Sequence, residues 1–213
     1  MNSRSLKKGA SMRRSSLLIS LVGALTASVA SGQNLLANPE FDQDGSGWEL
    51  FAGSGWSWQE IDEGACPASG SAQVASSPDL GPEIASLRQC VPVALLPAVT
   101  ASVSYRGGGS WNSLYVIFHF SANCSDASPP FSSSGIADPS PGAWARLEVP
   151  PSAVPAGTLS LEFRVGGTYG DPFVVEVDRS YLGVAGRIFA GDFEADEEGS
   201  TQPCRWSAVL PEF

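Results

Sequence analysis

Three tryptophans carry the clearest potential for ligand chemistry in this sequence. Trp56 and Trp58 lie two residues apart in a Gly-Ser-Gly-Trp-Ser-Trp segment, and Trp111 follows a run of glycines. Aromatic rings stack on the C–H faces of sugar rings, so these side chains, with Trp48 and Phe51, are candidate sugar platforms. Burial in a core is the competing interpretation, because tryptophan is highly buried on average. We expect one of Trp56 and Trp58 to point into the core and the other outward.

A second set of candidate ligand-binding side chains belongs to segments that we expect to be strands, on their outward faces. They are Arg106, Tyr115, Glu162 and Arg164, with His119 and Glu176 as further members. Guanidinium and carboxylate groups make bidentate hydrogen bonds, which suit the hydroxyls of a sugar. The competing interpretation is a solvated sheet face with cross-strand ion pairs. Strands of a sandwich divide between two sheets, so the sequence leaves open whether these side chains share one face.

Three acidic residues, Glu40, Asp42 and Asp178, could bind a metal ion. Calcium takes six to eight oxygen ligands from carboxylates and backbone carbonyls. We therefore expect a structural calcium ion at these residues, with ordinary surface charge as the alternative. A second acidic run, residues 192–198, lacks the Asp-x-Asp-x-Asp-Gly spacing of a calcium loop.

The sequence offers little for catalysis. The single histidine, His119, lies in the most apolar segment, and no Gly-x-Ser-x-Gly motif accompanies it. Acidic pairs such as Asp62 and Glu63 could in principle hydrolyse glycosides, but an acidic protein contains many such pairs. We therefore predict that the protein is not an enzyme.

Residues 1–32 have the composition of a signal peptide. They hold five basic and no acidic residues, and their apolar stretch, 17–25, is too short to span a bilayer. Small residues follow, so we predict cleavage after Ala30 or Gly32 and a secreted, periplasmic or cell-surface protein. The remaining chain has seven Arg, no Lys and 22 acidic residues, a net charge near −15. This charge argues against nucleic-acid binding, and the lack of lysine excludes lysine-based covalent catalysis.

Four cysteines, Cys66, Cys90, Cys124 and Cys204, lie beyond the signal segment. An even number in an oxidising compartment predicts two disulfides. We favour Cys90–Cys124, because each residue ends or follows a segment that should lie near the other in a sandwich, and Cys66–Cys204 then remains. The other connectivities stay open. No Cys-x-x-Cys pair is present, which argues against a zinc or redox site.

Alternating apolar and polar residues predict strands at 84–91, 99–106, 114–120, 144–149, 159–165 and 173–178. Short turns and the lack of a β-α-β rhythm indicate an all-β fold, an antiparallel β-sandwich. We expect Phe120 and Leu159 to face its core, and Ile117 to face outward. Residues 33–186 should form this domain, 187–213 an acidic C-terminal tail, and 125–142 a long Ser/Pro-rich loop.

Read in order, several segments resemble carbohydrate-binding modules of the cellulose- and xylan-binding type. These segments are 34–42 with Gly47-Trp48, 69–74, 87–93, 100–106 and 175–182. The resemblance implies a galactose-binding-like jelly roll over roughly residues 34–184, with a structural ion between its first and last strands. Segments 187–194 and 204–207 are similar to a C-terminal motif of many secreted bacterial proteins.

The resemblance also implies a function. We expect non-catalytic binding of a carbohydrate or another extracellular polymer, and the acidic charge favours neutral glycans over anionic ones. The alternative is a structural or protein-interaction module of the cell envelope or extracellular matrix without sugar specificity. A fold hosts many functions, so the site itself has to decide between the two.

Overall fold

Ten strands make up the regular structure of the described residues. The computed structural model describes residues 34–42, 44–63, 69–77, 84–129, 131–168 and 172–185. The strands are β1 (Glu49–Ala52), β2 (Gly55–Gln59), β3 (Ser71–Ala75), β4 (Ile84–Pro92), β5 (Ala98–Gly107), β6 (Trp111–His119), β7 (Phe131–Ala137), β8 (Ser140–Ala153), β9 (Ser160–Thr168) and β10 (Val174–Val184). The predicted signal peptide and acidic tail, with Cys66 and Cys204, lie outside the described residues.

The strands form two five-stranded sheets. Sheet A has the order β1-β4-β9-β6-β7, and sheet B has the order β2-β3-β10-β5-β8. Neighbouring described strands pair antiparallel throughout. The prediction of an all-β, antiparallel β-sandwich is confirmed. No helix long and apolar enough to cross a membrane occurs among the described residues.

The core lies between the sheets and follows the two-residue period of the strands. Leu161, Phe163 and Val165 of β9 are buried, and so are Val175 and Val177 of β10. Successive strand side chains point to opposite faces, so one apolar set per strand suffices to fill the interior. The alternation in the sequence therefore predicts these core residues correctly.

The segment before β1 closes one end of this core. The Leu35 amide donates to the Leu182 carbonyl of β10, 2.8 Å away. The rings of Phe41 and Trp48 stack with their centroids 5.0 Å apart, and Trp48 meets Phe163 edge-on. The segment that resembles the start of a carbohydrate-binding module thus packs into the interior of the sandwich.

Two glycines allow close approaches between the sheets. Gly53 has φ of 126° and lies where the chain passes from β1 in sheet A to β2 in sheet B. Such a conformation favours glycine. At Gly135 of β7, an added Cβ would lie 2.1 Å from the Glu148 carbonyl oxygen of β8. The absence of a side chain there lets β7 and β8 join the two sheets along one side.

The predicted loop over 125–142 is wrong in its second half. Residues 131–137 form strand β7, which pairs with β6 so that Ser134 lies opposite Tyr115. Strand β8 already begins at Ser140. A serine-rich segment has little strand preference of its own, but the exposed edge beside β6 supplies a partner for its backbone.

The alternation also fails at two strand ends. Phe120 and Leu159 are exposed rather than buried, because β6 ends at His119 and β9 begins at Ser160. Ile117, predicted to face solvent, lies on the outward side of β6 and is nevertheless buried. The period of two assigns a side chain to a face but does not tell what covers that face.

Candidate functional site

The outward face of sheet A, which we call the A face, aligns polar side chains in one row across all five strands. The strand register pairs Glu49 with Arg88, Arg88 with Arg164, Arg164 with Tyr115, and Tyr115 with Ser134. Cross-strand neighbours in such pairs are close enough to interact. The predicted ligand-binding residues Tyr115 and Arg164 are therefore brought together, and Arg88 joins them.

An exposed aromatic ring anchors one end of this row. The guanidinium carbon of Arg164 lies 3.5 Å from the centroid of Phe51, and that of Arg88 lies 5.6 Å from it. The Phe51 side chain is 42% exposed. Cations over an aromatic face are attracted by its quadrupole, so the Phe51 ring helps to position both guanidinium groups.

The next row of the A face consists of short side chains. Ser86, Gly166 and Ser113 are aligned on neighbouring strands. Trp111, 43% exposed, follows one row further along β6. Ser86 and Ser113 are each only 5% exposed, so this row is nearly buried although its side chains are short. The A face therefore presents the exposed rings of Phe51 and Trp111, with the arginine row beside Phe51.

The other end of the A face is covered by the segment 120–129. A disulfide between Cys90 and Cys124, with Cα atoms 6.0 Å apart, ties this segment to β4 and confirms the predicted pairing. The amide of Cys124 donates to the Ser160 hydroxyl of β9, and the Ser160 hydroxyl donates to the Ser121 carbonyl. The covered end is therefore fixed by one covalent and several polar contacts.

Beneath this cover lies a buried charged pair. Glu162 is 1% exposed; one of its oxygens accepts from Arg164 Nε at 2.7 Å, and the other lies 3.1 Å from His119 Nε2. His119 Nδ1 lies 3.5 Å from a carboxylate oxygen of Asp126. Glu162 was predicted to touch the ligand directly. The structure instead places it under the cover, where it holds Arg164.

Arg106 lies on the opposite side of the molecule from Arg164. It belongs to β5 of sheet B, where the register pairs it with Glu176, and Glu176 pairs with Gln73. These residues line an open hollow of about 300 Å³ on the outward face of sheet B, the B face. The predicted ligand-binding residues thus divide between two faces.

Trp56 and Trp58 both point into the sandwich. Their register partners on β3 are the buried Val74 and Ala72, and both tryptophans pack against the core. Trp58 Nε1 donates to the Phe41 carbonyl at 2.6 Å. The expectation that the two side chains diverge is wrong, because residues two apart in a strand share a face. Both rings support the segment before β1.

A cluster of acidic residues lies at one end of sheet B. Asp178 is 1% exposed, and its carboxylate accepts the amides of Glu63 at 2.9 Å and Arg179 at 2.7 Å. Burial raises the pKa of Asp178 to about 7; the two backbone hydrogen bonds oppose this rise, and the charges of Glu40 and Asp62 add to it. The protonated form of this side chain is therefore favoured by the fold.

Glu40 belongs to the same cluster. Burial raises its pKa, the guanidinium of Arg179 lowers it, and Asp42, Glu63 and Asp62 raise it again. Of the three predicted calcium ligands, Glu40 is thus within electrostatic range of Asp42 and of Asp178, together with Asp62 and Glu63, which were not predicted as ligands. Among the described residues, no three carboxylate, histidine or cysteine side chains converge on one metal position.

Sequence reasoning missed Arg88, Gln73 and Trp144 as members of the two faces. Arg88 occupies an outward position of β4, between the inward Leu87 and Gln89, so its orientation could be read from the alternation. The identity of its neighbours on the A face could not be predicted in this way, because they come from strands more than thirty residues away along the chain.

Comparison with known proteins supports the fold. No protein-family model matches the chain, and no curated protein matches it. Among solved structures, the enzymatically active domain of bacteriophage CBA120 tailspike protein 4 is 14% identical, with a TM-score of 0.55. The match covers 70% of this chain and 21% of that one, so the chain spans about a fifth of the tailspike's length.

Two carbohydrate-binding modules match over nearly their whole length. The family 61 module TmCBM61, solved with β-1,4-galactotriose, is 15% identical with a TM-score of 0.50, over 71% of this chain and 99% of the module. The CBM22-2 xylan-binding domain from Paenibacillus barcinonensis Xyn10C is 12% identical with a TM-score of 0.51, over 68% and 97%. At these identities the likeness shows the fold, and it confirms the resemblance to a carbohydrate-binding jelly roll at that level.

Proposed function

We propose that this protein is a non-catalytic carbohydrate-binding module that takes a neutral glycan on the A face. The observation that carries the proposal is the row of Arg88, Arg164 and Tyr115 beside the exposed rings of Phe51 and Trp111. Rings accept the C–H faces of sugars, and guanidinium groups donate to their hydroxyls. Proteins of the same fold include modules described as binding xylan and β-1,4-galactotriose.

The charges on the A face favour a neutral ligand. Arg88 is paired with Glu49 at 3.1 Å, and Arg164 is paired with Glu162. Neither arginine carries an uncompensated charge for a carboxylate or sulfate group. The strongly acidic composition further repels anionic polymers.

The compartment follows from the cysteines and the N-terminal segment. The Cys90–Cys124 disulfide is typical of oxidising compartments. Residues 1–32 have the composition of a signal peptide. We therefore propose that the module is secreted or displayed at the cell surface, where extracellular glycans are available.

Calorimetric titration with xylohexaose and with β-1,4-galactotriose, after a glycan array, tests the proposed function. Phe51→Ala and Tyr115→Ala should each weaken binding about tenfold, because each loses one ring contact with the sugar, and Phe51→Ala also removes the ring over which Arg164 lies. Glu148→Gln, an exposed position on β8 of sheet B, serves as the matched control and should bind like the unchanged protein.

Two results would contradict this proposal. Unchanged affinity in both ring variants, with intact circular dichroism, would move the binding site off the A face. No binding to any neutral glycan on the array would favour the alternative, a structural or protein-interaction module.

We further propose a structural calcium ion at the acidic cluster, bound by Glu40, Asp42 and Asp178. Carboxylate oxygens are the donors calcium prefers. A cation there would offset the cost of burial, which is the main cause of the raised pKa of Glu40 and Asp178, and the repulsion from neighbouring acids, which adds to it. EDTA should lower the melting temperature by several degrees at pH 8, and Asp178→Asn should abolish this effect. An unchanged melting temperature in EDTA would end the proposal.

A further inference from the structure

The hollow on the B face is open and shallow, and it is large enough to hold a small ligand. Its volume of about 300 Å³ lies at the lower end of the range for ligand pockets, which is enough for one sugar ring but not for an extended chain. Its lining residues are Gln73, Arg106, Gly107, Gly142, Val174 and Glu176. They come from strands β3, β5, β8 and β10, so a rigid sheet supports the floor of the hollow.

The polar groups of the hollow are arranged by strand register. Gln73, Glu176 and Arg106 occupy matching positions on three adjacent strands. Gln73 Nε2 donates to one oxygen of Glu176 at 3.2 Å, and Arg106 Nε donates to the other. An amide, a carboxylate and a guanidinium are thus held side by side. This arrangement presents donors and acceptors together, as the adjacent hydroxyls of a sugar require.

The walls of the hollow are apolar or open. The guanidinium carbon of Arg106 lies 4.9 Å from the centroid of the Trp144 ring, and Val174 is 43% exposed. Gly142 has φ of 83°, and a Cβ added there would meet no atom within 4 Å. An apolar side chain and free space therefore border the polar row, and the Trp144 ring packs on Arg106 beside the hollow.

The charges of the hollow select an uncharged ligand. Arg106 and Glu176 neutralise each other, and their side chains are only 26% and 17% exposed. An ordinary surface ion pair contributes little to stability and does not require an adjoining amide, ring and hollow. The combination is better explained by recognition of a neutral polyol than by ion pairing alone.

We propose that the hollow binds one terminal ring of a neutral glycan, so that the module holds sugar on both of its faces. The proposal rests on the proposed function only for the class of ligand, since the hollow and the A face share no residue. A module with sites on opposite faces can join two glycan chains, which a module with a single face cannot do.

Side-chain NMR of the full chain tests the two faces separately. D-Xylose, D-galactose and L-arabinose probe the hollow through the Gln73 amide, the Arg106 Nε–H and the Trp144 indole signals. Xylohexaose probes the A face through the Arg88, Arg164 and Trp111 signals. We expect at least one monosaccharide to produce saturable shifts of the hollow signals. Val174→Trp, which fills the hollow, should remove these shifts, and Gln59→Ala on β2 should retain them.

The outcomes distinguish this proposal from the proposed function. Hollow signals that do not shift with any of the three sugars, or that shift equally in Val174→Trp, overturn the second site. Saturable shifts of the A-face signals with xylohexaose support the proposed function whichever way the hollow responds, and the glycan array decides it where xylohexaose does not bind. Two independent saturation curves in the unchanged protein would establish both.

Discussion

Two buried carboxylates, one on each sheet, lie in very different electrostatic surroundings. Glu162 of β9 and Asp178 of β10 are both 1% exposed. Glu162 has the guanidinium of Arg164 on one oxygen and His119 on the other. Asp178 has two backbone amides and a surrounding of further acids, among them Glu40. Equal burial thus accompanies opposite electrostatic surroundings.

The difference lies in which partner compensates the cost of burial. Removing a carboxylate from water is costly unless a cation or good hydrogen bonds replace the water. On sheet A the cation is Arg164, which lies on the same strand as Glu162. Segment 120–129, which covers one end of the A face, completes the surroundings of Glu162. Asp178 instead accepts two backbone amides, from Glu63 after β2 and from Arg179 of β10, and the neighbouring acids make its charge less favourable. The charge of Glu162 is therefore compensated within the protein, whereas the acidic cluster around Asp178 is stabilised by a bound proton or an added cation.

The variant Glu162→Gln should have the largest effect on the buried pair of Glu162 and Arg164. The amide keeps the size of the side chain but removes the charge that Arg164 and His119 face. Breaking a buried ion pair from one side costs about 3–5 kcal/mol, so the free energy of unfolding should fall by that order. Urea denaturation at pH 7 measures the change.

The matched control is Glu49→Gln, at the exposed end of the same row. Glu49 pairs with Arg88 but is 68% exposed. Exposed pairs contribute about 0–1 kcal/mol, so this variant should be nearly as stable as the unchanged protein. Equal losses in the two variants would mean that burial does not distinguish the two pairs.

The pH dependence of stability tests the B-sheet carboxylate. The folded protein raises the pKa of Asp178 from 3.8 to about 7, so between these values it binds more protons than the unfolded chain. Stability should therefore be higher at pH 5 and fall as the pH rises to 8, by roughly 3 kcal/mol at most. Melting in EDTA at several pH values above 5 measures the slope without interference from a bound cation.

Asp178→Asn gives the control for this slope. Asparagine has a similar shape and does not titrate, so the decrease between pH 5 and pH 8 should shrink to the smaller contribution of Glu40. An identical slope in the variant would assign the pH dependence to other groups.

The sequence was sufficient for the fold and for most of the core. Segments 84–91 and 99–106 were predicted within one residue of β4 and β5. Their alternation reflects a physical constraint, because a strand with one buried face must repeat apolar residues every second position. The Cys90–Cys124 pairing was predictable from β4, which contains Cys90, and β6, which ends shortly before Cys124.

The candidate site was only partly predictable. Tyr115 and Arg164 were correctly expected to point outward from their strands, but nothing in their local sequence places Arg106 in the other sheet. The strand order decides that, and it depends on pairings between distant segments. The burial of Glu162 could not be predicted from the sequence either, because it is caused by segment 120–129, which a disulfide fixes over the sheet. Local periodicity describes one strand at a time, whereas a binding face is a property of several.

The close contact at Gly135 also bears on how copies of this protein behave towards one another. An edge strand presents unpaired backbone groups on which a strand of another molecule can form, and this is a route to aggregation. Strand β7 is such an edge of sheet A, but at Gly135 it lies directly against the Glu148 carbonyl of β8. At this position β8 packs closely beside β7 and leaves little room for a foreign strand along this side of the sandwich. The glycine that lets the sheets meet thereby also guards this side of the sandwich against edge-to-edge association.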